Sequence, residues 1–151
     1  MIAGERGVTI LDDTYNASPV SMLAAFETIK AMKIKKRKVG ILGSMWELGR
    51  EEEKGHLDVG RVAGNLFDEL WLVEKHAQLL KKGAQTARID QSKIRIFSTT
   101  DELLVEIKNM IQPDDFVFIK GSRSKNHLEK VVKLLMLDKN QAEKILVAHG
   151  K

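Results

Sequence analysis

The chain contains no cysteine, which excludes a disulfide framework, a thiolate metal site and a cysteine nucleophile at one stroke. Its four histidines, His56, His76, His127 and His149, stand at no metal-ligand spacing, so no metal site is expected. Aromatic residues make up only 5% of the chain and do not interleave with the basic ones as a nucleic-acid platform requires, so no nucleic-acid partner is expected. No apolar run is long enough to cross a bilayer, and the start, M-I-A-G-E-R-G, lacks the charged-then-apolar order of a secretory signal. The expected location is the cytoplasm, without membrane insertion. Three nucleotide or nucleophile signatures are missing too. Gly40-x-x-Gly43 is not a dinucleotide fingerprint, Gly121-Ser-Arg-Ser-Lys125 has the wrong spacing for a P-loop, and no G-x-S-x-G elbow occurs. This chain therefore cannot by itself hold a triphosphate in the P-loop manner.

What is present is ordinary for a globular protein: 151 residues, 43% hydrophobic and 30% charged. That is enough to bury one core, and no internal repeat, low-complexity tract or Pro/Gly-rich linker divides it, so residues 1–151 are read as one domain. The net charge of +4 comes largely from a run between a helix and a strand, Lys33, Lys35, Lys36, Arg37 and Lys38. A solvated face explains such a run, and a mild preference for anionic small molecules stays open.

The chain alternates. Val8–Leu11, Val39–Leu42, Leu70–Val73, Ile94–Phe97 and Phe116–Ile119 are short apolar runs, mostly β-branched or aromatic. Between them, Met22, Phe26, Ile29 and Met32 fall near a 3.6-residue period, as do Leu103, Ile107, Met110 and Ile111. Ser18 before Pro19 reads as an N-cap with proline at the first helical position. Thr99 with Glu102 matches a capping box, and Glu51, Glu52 and Glu53 put negative charge in a first helical turn. Gly60 and Gly64, four apart, are expected to let a helix approach the sheet closely. Nearly all-apolar strands separated by helices mean a mainly parallel sheet covered on both faces. The expected fold is α/β, a Rossmann-like doubly wound sheet of five to six strands. Residues 141–148 read as a last helix, with an edge strand at 145–147 as the alternative.

In such sheets ligands sit beyond the carboxyl ends of the strands, which singles out three loops. D-D-T-Y-N-A-S-P follows the first strand, G-S-M-W-E-L-G the second and K-G-S-R-S-K the fifth. Each carries more polar chemistry than turning requires. Lys120 and Arg123 flank a Gly-Ser pair, so a backbone amide, a hydroxyl and two cations can converge on a carboxylate or phosphate. Asp12 is read as a turn or cap residue and Asp13 as the functional carboxylate.

In this order and at these separations, L-D-D-T-Y-N-A-S-P-V-S-M, G-S-M-W-E-L-G with His56 downstream, and K-G-S-R-S resemble the C-terminal domain of the UDP-N-acetylmuramoyl-tripeptide–D-alanyl-D-alanine ligases (MurF) of the Mur ligase family. The resemblance covers about residues 8–137 and leaves 138–151 outside. It implies one Rossmann-like domain of a three-domain enzyme whose central domain binds most of the ATP and Mg²⁺. The implied reaction adds D-Ala-D-Ala to a UDP-MurNAc-tripeptide through an acyl phosphate, in peptidoglycan synthesis. By resemblance Asp13, Tyr15 and Asn16 bind the nucleotide, and Lys120, Gly121, Ser122 and Arg123 bind D-Ala-D-Ala, with Met45 and Glu47 shaping the cleft. His56 and Ser18 are further candidates. No catalytic set is complete in this chain, whose implied partners are its own N-terminal and central domains. Ser44 stands where the family has Asp, and residues 124–127 run one residue longer than the family pattern. The alternative is a stand-alone Rossmann-like module that binds a small ligand or regulates, without catalysis.

Overall fold

A computed structural model describes residues 1–137 and 140; the expected last helix at 141–148 lies outside them. The chain begins with a two-residue strand, β1 (Ile2–Ala3), and continues through β2 (Thr9–Asp13), α1 (Pro19–Ala31), β3 (Lys38–Gly43), α2 (Glu52–Leu66), β4 (Glu69–Val73), α3 (Ala77–Ala84), β5 (Ile94–Phe97), α4 (Thr100–Met110), β6 (Phe116–Lys120) and α5 (Glu129–Leu135). The sheet order is β1-β2-β6-β3-β4-β5. Among the strands of the described residues, β1 runs antiparallel to β2 and the other four pairings are parallel. The five expected strands are all present. β1 was not expected, because two residues show no periodicity.

Local chemistry sets the helix starts. Ser18 accepts the Ser21 amide at 3.1 Å while the Ser21 hydroxyl accepts the Ser18 amide at 3.0 Å, and Pro19 opens α1. Thr99 caps α4 by accepting the Glu102 amide at 3.2 Å. The Glu102 carboxylate reaches one residue further back than a capping box requires, to the Ser98 amide at 2.8 Å.

Two apolar layers sandwich the sheet. One packs Met22, Phe26 and Ile29 of α1 with α2 and α3 against Leu42, Leu70, Leu72, Phe116 and Phe118. The other packs Leu103 and Ile107 of α4 and Val131, Val132 and Leu135 of α5 against Ile10, Ile41, Trp71, Val117 and Ile119. The expected role of Gly60 and Gly64 is corrected: they face a helix, not the sheet. A Cβ on Gly60 would collide with the Leu80 carbonyl, and one on Gly64 would come within 3.0 Å of the Ala84 carbonyl. The small residues are there because α2 and α3 touch backbone to backbone.

At the amino edge of the sheet, Arg37 ties three strand starts together. Its guanidinium meets Asp115 through two bonds of 2.9 and 2.7 Å, Glu69 at 3.1 Å and the Met110 carbonyl at 3.0 Å. This one residue of the basic run is therefore structural. No helix among the described residues is long and apolar enough to cross a membrane.

Because β6 inserts between β2 and β3, its carboxyl end is where the chain diverges. The loops after β2 and β3 lead to helices on one face, and the loop after β6 leads to α5 on the other. A crevice opens at such a switch point.

Candidate functional site

The register of β2 against β6 sets Asp13 directly beside Lys120. The Lys120 ammonium, with its side chain 3% exposed, donates to Asp13 Oδ2 at 2.7 Å and to the Asn16 carbonyl at 2.9 Å. Sequence reading assigns Asp13 and Lys120 to separate ligands; the structure joins them in one clamp that shapes the turn after β2. Asp12, on the other side of the strand, accepts the Thr14 amide and hydroxyl at 3.1 and 2.8 Å, the turn role expected for it. Asn16 Oδ1 accepts the Ala17 amide at 2.8 Å. Tyr15 is left 58% exposed. Ser18 is spent on the α1 cap.

The loop after β6 is bound to this turn, since the Arg123 amide donates to the Tyr15 carbonyl at 3.1 Å. Its inner support is Asn126, a residue that sequence reading missed. Asn126 Oδ1 accepts the Ser122 amide at 2.7 Å, its own amide donates to the Ser122 carbonyl at 2.8 Å, and its carbonyl accepts the Thr100 hydroxyl. Gly43 and Gly121 leave the room: a Cβ on Gly121 would lie 2.8 Å from Asn126 Oδ1, and one on Gly43 would collide with it. The end of β3, the start of α4 and the loop after β6 thus meet on one residue, Asn126.

The G-S-M-W-E-L-G loop after β3 is held by two histidines. The Met45 amide donates to His56 Nε2 at 3.0 Å, and His56 Nδ1 lies 2.7 Å from the Glu52 carbonyl. Only the neutral tautomer with its proton on Nδ1 satisfies both bonds. The ring of His76 lies 4.8 Å from that of His56, and its Nε2 is 3.0 Å from Glu52 Oε1. Ser44 is buried; its hydroxyl donates to the Val73 carbonyl at 3.0 Å and accepts the His76 amide at 2.8 Å. Met45 is buried in the core while Glu47 is exposed, so of the two only Glu47 turns a side chain outward. Glu47, Glu74 and His127 hold φ of 61°, 84° and 55°, backbone strain gathered at the carboxyl ends of β3, β4 and β6.

Burial pushes the His56 pKa down, and the nearby His76 adds to this, against the Glu52 carbonyl. The sign follows. The unfolded chain takes up a proton near the ordinary histidine value of about 6.5 and the folded one only at lower pH. The stability His56 contributes is therefore present above that value and is lost as pH falls toward the folded pKa. The thermal midpoint should fall as pH drops below about 6.5, and His56→Gln should flatten that fall. An unchanged slope in the variant would remove His56 as its source. Glu74 is displaced upward, by burial first, with a bond to the Thr100 amide and the charge of His127 opposing.

The loops after β2 and β6 enclose a cleft of about 520 Å³ lined by Tyr15, Asn16, Ser122, Arg123, His127 and Glu129. Beside it, the Trp46 ring has the Lys125 ammonium 5.7 Å from its centroid and His76 5.7 Å away. The cleft offers a flat aromatic face, hydroxyls, a guanidinium and a carboxylate, a set suited to a zwitterionic or anionic small ligand. Among the described residues no group of three or more His, Asp or Glu is placed to hold a metal ion.

A doubly wound domain with its polar loops gathered at the switch point is the class defined by this geometry. The chain belongs to the Mur ligase family, matching its glutamate ligase domain over residues 1–123. It is 30% identical over 137 residues to the UDP-N-acetylmuramoyl-tripeptide–D-alanyl-D-alanine ligase of Bacillus subtilis, covering 90% of this chain and 30% of that one. The same ligase of Escherichia coli is 32% identical over 127 residues, covering 83% and 26%. Among solved structures, MurF from Acinetobacter baumannii superposes with a TM-score of 0.74 at 31% identity, covering 91% of this chain and 30% of that one. MurF from Thermotoga maritima in complex with ADP gives 0.69 at 25%, covering 95% and 30%. The chain thus spans about 30% of the length of such relatives.

Proposed function

We propose that this chain is the C-terminal domain of a cytoplasmic ATP-dependent amide ligase that adds D-Ala-D-Ala to a UDP-MurNAc-tripeptide in peptidoglycan synthesis, and that it is inactive alone. The observation that carries this reading is the crevice at β6, where the D-D-T-Y-N and K-G-S-R loops are joined by the Arg123–Tyr15 backbone bond and open one cleft between them. The relatives cited above, of which this chain spans less than a third, are ligases of that name.

Roles divide by exposure. Tyr15 and Asn16 face outward and suit the nucleoside end of ATP, which the central domain would present. Arg123, with Ser122 and Gly121, suits the dipeptide carboxylate, because a guanidinium binds a carboxylate through two parallel bonds. Lys120 and Asp13, tied to each other, position these loops, and Glu47 and the His56-held Met45 backbone set the cleft wall. Among the described residues no carboxylate–histidine cluster fits Mg²⁺; the ion would rest on the triphosphate and on the central domain, as would the phosphate chemistry itself. The domain's contribution is to orient the amine and, on closure, keep water from the acyl phosphate that forms when the tripeptide carboxylate takes the terminal phosphoryl group of ATP and ADP is released.

Arg123→Ala in the intact ligase should raise KM for D-Ala-D-Ala about tenfold or more, with KM for ATP and the thermal midpoint little changed. Steady-state kinetics with the dipeptide varied would show it. An unchanged dipeptide KM would remove Arg123 from that site.

A further inference from the structure

The basic run after α1 has one structural member, Arg37, which leaves its lysines unexplained. Two of them line a second cavity, at the amino edge of the sheet and so at the opposite end from the cleft. It measures about 290 Å³ and lies between the carboxyl ends of α1 and α2. Its floor is apolar, with Phe26, Ile29, Ile34, Val62 and Leu66; its rim carries Lys30, Lys33, Lys38 and Arg88 against one carboxylate, Glu27.

Two helix ends account for part of this charge. The macrodipoles of α1 and α2 are negative here and attract cations, and the Arg88 guanidinium donates to the Asn65 carbonyl at 2.9 Å in the last turn of α2. They do not account for Lys33 or Lys38. Lys33 follows the helix with a φ of 49°, at a position where glycine is usual and another residue costs about 1 kcal/mol. Lys38 belongs to β3. The nearby Asp68 carboxylate accepts the Lys38 amide at 2.8 Å. Among the described residues, Lys30, Lys33 and Lys38 form no ion pair with a carboxylate. Helix dipoles also give no reason for an open apolar floor beneath the charges.

We propose that this cavity binds a small, soluble amphiphilic anion: an apolar body about the size of one ring, carrying a phosphate or carboxylate. The floor would take the body by burial of apolar surface, and the lysines would take the charge. The volume of about 290 Å³ is at the lower edge of small-molecule pockets, which start near 300 Å³, and suits a lone ring. The site is separate from the proposed ligase cleft and does not depend on it.

Phenyl phosphate is the probe. Added to the full chain labelled with ¹⁵N, it should shift the amides of Lys33, Ile34, Leu66 and Arg88 saturably, with Kd below about 1 mM, and leave Tyr15 and Arg123 unmoved. Lys33→Glu with Lys38→Glu should weaken it at least about tenfold, and a thermal melt would confirm that the variant folds. Lys33→Met alone, which keeps the stem and removes one charge, should weaken it less. Several results would overturn the proposal. Equal affinity for inorganic phosphate would mean a counter-ion cloud, and no saturation would mean no site. Shifts centred on Arg123 would place binding in the other cleft. Sedimentation with phosphatidylglycerol vesicles without a phenyl phosphate response would make this a membrane-facing patch.

Discussion

Asp13→Ala should destabilise the domain more than Lys120→Met does, although both break the same ion pair. The two partners are unequally buried: the Lys120 side chain is 3% exposed and that of Asp13 is 42% exposed. Removing Asp13 strands an ammonium in the interior with only the Asn16 carbonyl left to accept from it, a loss of about 3 kcal/mol. Removing Lys120 leaves a carboxylate that water already reaches, and methionine fills much of the vacated volume, so the cost falls to about 1 kcal/mol. For a chain of this size the first variant should melt roughly 6–12 °C lower and the second about 2–4 °C lower. Calorimetry on the two variants decides it. Equal or reversed losses would show that water reaches Lys120 and that the pair is not a buried clamp. Asn16 is the second partner of Lys120, so either variant should also loosen the Tyr15–Asn16 turn.

That clamp marks where sequence reading ran out. Apolar runs announce strands, and the five longer ones stand where the runs are. No run says which strands are neighbours, and the insertion of β6 between β2 and β3 is what makes Asp13 and Lys120, 107 positions apart, adjacent. Read along the chain, they could only look like parts of two sites. The burial of His56 was legible in the sequence. The residue falls on one helical stripe with Val59, Gly60 and Ala63, all buried, so its periodicity already placed it inside. Asn126 gave no such signal. Its role depends on Gly43, which ends β3, and Gly121, which follows β6, making way for one carboxamide. The polar loops after β2, β3 and β6, by contrast, stand out in the sequence, because their polar residues exceed what a turn needs.

The basic run poses the same problem in a sharper form, and Arg37→Ala resolves it. Five cations within six positions look interchangeable in sequence, yet Arg37 alone of them faces Asp115, which is 1% exposed. Without the guanidinium, the Asp115 carboxylate keeps, among the described residues, only the Gln112 amide at 2.8 Å; the Thr9 amide bonds its backbone carbonyl instead. Removing one partner of a buried pair costs about 3–5 kcal/mol. Arg37→Lys should recover only part of this, since an ammonium cannot make the two parallel bonds. Lys36→Ala, on an exposed side chain of the same run, should stay within about 0.5 kcal/mol of the parent. Urea unfolding of the three variants would separate them by their midpoints at a common slope. If Arg37→Ala unfolded with Lys36→Ala, the run would be a single solvated patch. The expected spread instead divides it by burial. One arginine holds the starts of β3, β4 and β6 together, which leaves the lysines around it free to face a ligand.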